Sequence, residues 1–142
     1  MPASTQLAAD LRLVLGQLVR RVRADDPTPP DVTAVLGLLG RQGPMTTSEL
    51  AAARRVRPQS MARSVGRLVE QGLAERVSHP VDRRKAPIAL TARGHEILGE
   101  ERGRRADWLA RAIDETLSDR DVQTLTDAVD LCRRLLDWSP GA

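Results

Sequence analysis

A mainly helical α+β fold built around one small hairpin is what this 142-residue sequence predicts, and three patterns carry the prediction. Long stretches at both ends place apolar residues three and four apart, the spacing of an amphipathic helix. Residues 45–71 hold two shorter helical patterns separated by a break. Residues 73–90 then change to short apolar runs on either side of a Pro-containing basic turn, as the two strands of a hairpin do.

Leu7, Leu11, Val14, Leu18 and Val22 form the first stripe, one face of a long helix. Residues 25–30 (DDPTPP) interrupt it. Thr28 is expected to cap the next helix with Pro29 at its first position, leaving Val32, Val35, Leu36 and Leu39 to face a core. Thr46 and Glu49 have capping-box spacing, and Leu50, Ala51 and Ala52 continue a short helix. The run Arg54, Arg55, Val56, Arg57 breaks the apolar pattern, and Pro58 suits the first position of a second helix. Its apolar side is Met61, Val65, Leu68 and Val69; the other side carries Gln59, Ser60, Arg63, Ser64 and Arg67. Gly72 is placed to end it in a left-handed conformation.

Residues 73–77 (LAERV) and 86–90 (APIAL) each suit a short strand, with Pro87 favouring a sheet edge. Thr91 is expected to cap a long helix reaching about residue 115, carrying Ile97, Leu98, Trp108, Leu109, Ala112 and Ile113. Ser118 and Asp121 open a last helix with the stripe Val122, Leu125, Val129, Cys132, Leu136.

A short helix, a tight turn, a second helix with an arginine-bearing polar side and then a hairpin make a winged helix-turn-helix. That device presents one helix and one loop to double-stranded DNA. The second helix is the recognition helix. Gln59, Ser60, Arg63 and Ser64 are the candidates for base edges or nearby phosphates, Arg67 for the backbone, and Arg57 for a phosphate where the helix begins. At the hairpin tip Arg83, Arg84 and Lys85 can reach phosphates or a narrow minor groove. Asp82 would be repelled by phosphate, so its expected work is to hold an arginine in place.

The stretch resembles the MarR family of bacterial regulators. The likeness rests on Gly43-Pro44-Met45-Thr46, Ser48-Glu49-Leu50-Ala51, Ser60, Arg63, Val65, Leu68 and Gly72-Leu73. It continues through Glu75-Arg76, Asp82-Arg83-Arg84 and Leu90-Thr91 with Gly94. The resemblance implies that Asp82 stiffens the wing while Arg84 enters the minor groove. It also implies a homodimer whose N- and C-terminal helices interleave, and a possible small-molecule effector bound between the DNA-binding module and those helices. The sequence departs from many relatives in having Arg57-Pro58-Gln59 at the start of the recognition helix, which bears on the operator sequence. The expected organisation is an N-terminal dimerisation helix and linker (residues 1–28), a winged helix-turn-helix domain (29–92) and C-terminal dimerisation helices (93–142). The function that follows is a sequence-specific regulator, a repressor on a pseudo-palindromic operator. A winged-helix protein adaptor or a non-specific DNA binder are the alternatives.

Composition is consistent with that role. Net charge is only +3, and Lys85 is the single lysine among 22 basic residues. Arginine suits bidentate contacts to guanine and phosphate. The bias also arises from G+C-rich coding DNA, so position counts for more than number. The sequence offers no Gly-rich phosphate loop, GxSxG or HExxH, and adjacent Glu100 and Glu101 do not face each other on a helix, so an enzyme is not expected. His79 and His95 fall in different kinds of element, and with one cysteine neither a metal site nor any cofactor is expected. Cys132 at a core-facing position argues for an inert thiol. Asp10 and Arg12 interrupt the first apolar stretch, leaving no signal peptide or membrane span, and a cytoplasmic protein is expected. With neither Phe nor Tyr, and Trp108 and Trp138 as the only rings, an aromatic-lined effector pocket is not expected, and no ligand residue is assigned.

Overall fold

The computed structural model describes residues 2–141. In chain order it contains α1 (Pro2–Val22), α2 (Pro30–Gln42), α3 (Thr47–Arg54), α4 (Pro58–Glu70), β1 (Ala74–Arg76), β2 (Ile88–Leu90), α5 (Ala92–Thr116) and α6 (Asp119–Leu136). The chain forms two compact units, Met1–Arg104 and Arg105–Ala142.

The core of the first unit is assembled from the helical stripes of α2, α3 and α4. Val32, Val35, Leu36 and Leu39 recur at i, i+3, i+4 and i+7 along α2 and are all buried. They join Leu50 and Ala51 of α3, Met61, Val65 and Leu68 of α4, and Leu73, Ala74, Ile88 and Leu98 in one cluster. α2 begins one residue later than expected, with Pro30 in its first turn and Pro29 at the cap. Thr28 does not cap it; its carbonyl accepts instead from the Thr33 hydroxyl at 3.4 Å.

The turn between α3 and α4 depends on local backbone chemistry. Thr46 caps α3 by accepting from the Glu49 amide at 3.1 Å. Arg55 closes the helix in the left-handed region, φ 53°, the one non-glycine with positive φ among the described residues. At the far end of α4, Gly72 is left-handed at φ 71°. Its amide donates to the Val69 carbonyl at 3.0 Å, and the Leu73 amide donates to Leu68 at 2.9 Å. Those two bonds are a Schellman cap, with buried Leu68 and Leu73 as its apolar contact.

The wing strands pair antiparallel, Ala74 with Leu90, Glu75 with Ala89 and Arg76 with Ile88. They are shorter than the expected 73–77 and 86–90. Leu73 spends its amide on the cap of α4, and Pro87 has no amide to give, although its carbonyl still accepts from Val77 at 2.8 Å. A third segment joins the sheet. Met45 exchanges two backbone bonds with Ile88, at 3.0 and 2.7 Å, tying the start of the helix-turn-helix to the base of the wing.

Thr91 caps α5 as expected, its hydroxyl accepting from the Gly94 amide at 3.1 Å while donating to the Gly72 carbonyl at 2.5 Å. In the second unit, Ser118 and Asp121 complete a reciprocal capping box at the start of α6. No residue of α6 is buried.

Candidate nucleic-acid interface

α4 offers its polar side to solvent from its first turn onward. Arg57, at the cap position, and Gln59, Ser60 and Arg63 are all exposed. Ser64 is not: it is 6 % exposed, and its hydroxyl donates to the Asp31 carboxylate at 2.8 Å. The expectation that Ser64 reads a base is therefore corrected. Position 64 lies three residues after Met61 and four before Leu68, on the inward side of the helix. Arg67 reaches the same carboxylate at 3.2 Å with about half of its side chain still exposed.

Asp31 was not singled out by sequence. It stands in the first turn of α2, 33 and 36 residues before its partners, so no local pattern reveals it. The Ser64 hydrogen bond, more than the charge of Arg67, holds its carboxyl below the usual carboxylate range despite some desolvation. Around it Arg54, Val56, Ser60, Arg63 and Arg67 line a cleft of about 240 Å³ against α4, in which Asp31 is the sole carboxylate.

The wing tip is organised by two side chains. His79 Nδ1 accepts from the backbone amides of Val81 at 3.1 Å and Asp82 at 2.8 Å. Asp82 accepts from the Arg84 amide at 3.0 Å and from its Nε at 3.2 Å. The guanidinium bond, followed by the amide bond, lowers the Asp82 pKa. Arg84 is thus tied at its root while 92 % of its side chain stays exposed. Arg83 and Lys85 flank it, both exposed. Sequence reasoning placed Asp82 and Arg84 together but considered His79 only as a metal ligand. A histidine three residues ahead of a turn aspartate was the available signal.

Elsewhere, Cys132 is half-buried on α6. Among the described residues no cluster of three or more His, Cys, Asp or Glu side chains could hold a metal, and no helix is long and apolar enough to cross a membrane.

Helix, left-handed turn, exposed arginine-bearing helix and basic hairpin define a winged helix-turn-helix protein, the class that addresses DNA with one helix and one loop. Comparison with known proteins agrees. Residues 25–85 match a model of the MarR family. An HTH-type transcriptional regulator of Mycobacterium bovis is 34% identical over 143 residues, covering 99% of both chains. One from Mycobacterium leprae is 35% identical over 144 residues, again covering 99% of each. Among solved structures, a transcriptional regulator protein from Pseudomonas aeruginosa superposes with a TM-score of 0.86 at 31% identity, covering 99% of both chains. MarR of Escherichia coli shares the fold at a TM-score of 0.66, covering 90% of this chain and 95% of that one at 21% identity. The chain belongs to the MarR family of winged helix-turn-helix transcriptional regulators.

Proposed function

We propose that this regulator is a cytoplasmic homodimeric repressor of a pseudo-palindromic operator. α4 lies in the major groove, with Gln59, Ser60 and Arg63 at base edges or adjacent phosphates, Arg57 and Arg67 on the backbone, Arg84 in the minor groove, and Arg83 and Lys85 beside it. The observation that carries this proposal is the wing tip: a guanidinium held at its root by Asp82 yet 92 % exposed is pre-organised to enter a narrow groove. Repression is supported by similarity to the transcriptional repressor MdtR of Bacillus subtilis, 25% identical over 128 residues. The dimer is supported by apolar residues exposed on α1 and on α6, among them Leu7, Val14, Val129 and Leu136. For a small effector, a cleft of about 540 Å³ where α1 gives way to α2 offers apolar walls from Val19, Pro27, Pro29 and Pro30, with Arg20, Arg23 and Asp26 beside them.

The deciding experiment is a salt series comparing binding to the DNA upstream of the protein's own gene with random duplex of equal length. The expected result is a preference for the upstream DNA, a two-fold symmetric footprint and a steep loss of affinity as salt rises. Weak binding that ignores both sequence and salt would point instead to a protein-binding winged helix.

A further inference from the structure

Asp31 is a carboxylate set at the edge of a surface that otherwise collects cations. The cleft along α4 draws Arg54, Arg63 and Arg67 together, and Asp31 alone opposes them. A carboxylate there works against phosphate binding, so its presence asks for a reason beyond packing. Its two bonds supply one. One oxygen accepts from the buried Ser64 hydroxyl at 2.8 Å and from Arg67 at 3.2 Å, joining the first turn of α2 to the middle and last turns of α4.

We propose that Asp31 is a specificity-determining positioning residue: it fixes α4 through Ser64 and holds Arg67 in reserve, so that Arg67 contributes little to binding of arbitrary DNA. This rests on α4 being the DNA-facing helix. The two halves of the device differ in strength. Ser64 itself is buried, so its side of the bond is fixed by packing. The Arg67 pair is about half exposed on both sides, and an exposed ion pair is weak and readily exchanged. Random duplex gains Arg67 only by drawing it from Asp31 and leaving a bare carboxylate beside phosphates. A duplex whose bases also engage Arg63 and Gln59 seats α4 closely enough to bring a phosphate onto Arg67, so the exchange is favourable there and not on random duplex. An aspartate is already charged at neutral pH, and the Ser64 bond lowers the Asp31 pKa further.

The variant Asp31→Asn removes the charge while keeping an oxygen for Ser64. It is expected to bind random duplex about threefold tighter at low salt, and to steepen the log–log salt dependence by about 0.9, the equivalent of one added phosphate contact. Preference for the upstream DNA over random duplex is expected to fall by a similar factor. In the Arg67→Gln background the same change is expected to leave the salt slope and the preference unaltered, with only a smaller, sequence-independent gain from removing a carboxylate beside phosphate. Thermal unfolding of each variant reads packing separately. A lowered melting temperature with unchanged salt slope would overturn the proposal, leaving Asp31 a purely structural anchor. A gain and slope change of full size that persist in the Arg67→Gln background would overturn it too, since a general field effect needs no arginine in reserve. The unmutated protein is titrated alongside, and salt-insensitive binding there would remove the DNA-binding role of α4 itself, a failure distinct from either of these.

Discussion

Arg63 and Arg84 are both exposed arginines, yet their surroundings predict different losses on removal. Arg84 sits on a tip tied by Asp82, and the minor-groove contact proposed for it is made on any duplex. Arg84→Ala is expected to weaken operator and random duplex alike and to flatten the log–log salt dependence by about 0.9. Arg63 lies on the open side of α4, where a guanidinium can reach a base pair. Arg63→Ala is expected to cost about 1–3 kcal/mol of discrimination. Parallel titrations on the two DNAs separate these roles, and equal losses for Arg63 would make it a phosphate contact. At this scale the six cations that sequence assigned to the recognition helix and wing are all exposed, but Ser64 was misplaced. Sorting by polarity put it outside, while the spacing from Met61 and to Leu68 already put it inside. Its partner, Asp31, comes from another helix, and such a pairing is decided by tertiary packing alone.

Among the elements, the junction of the wing with α5 is the least tolerant of change. A Cβ at Gly94 would overlap the Leu73 carbonyl oxygen, which also accepts the Thr91 amide. Gly99 and Gly103 lie on the same helix with open space around them. Alanine is the better helix former by about 0.8–1.0 kcal/mol, so Gly99→Ala and Gly103→Ala are each expected to raise the melting temperature. Gly94→Ala is expected to lower it, because the backbone overlap costs about 1–3 kcal/mol and exceeds that gain. Thermal unfolding of the three variants tests the sign at each site; stabilisation by Gly94→Ala would mean that the helix and wing separate easily. The elements were legible where the signal is local: the Gly72 stop, the Thr91 cap and the Ser118 box all stand where spacing placed them. Strand lengths and the Met45–Ile88 bridge were not, because they depend on which distant amides remain free to pair.

For the whole molecule, the determining fact is how much apolar helix surface faces water. Val14 is 56% exposed on α1 and Val129 43% on α6, each among other exposed apolar residues of its helix, which supports the proposed dimer. The periodicity of both stripes was readable from sequence, and so was the expectation that a second copy covers them. If a second copy covers them, the purified protein should sediment at twice its 15.5 kDa chain mass at micromolar concentration. Its melting temperature should also rise with concentration, since association stabilises the folded state by mass action. Val14→Glu and Val129→Glu are each expected to shift the equilibrium toward monomer by placing a charge in the apolar interface. Two-fold symmetry would place the paired recognition helices about 34–36 Å apart, one turn of DNA. A monomer offers one helix and one wing, so the same variants should bind the upstream DNA far more weakly while leaving a single half-site's contacts intact. Sedimentation and footprinting together discriminate the outcomes. A wild-type monomer with a two-fold footprint would mean that DNA, rather than these helices, brings the subunits together.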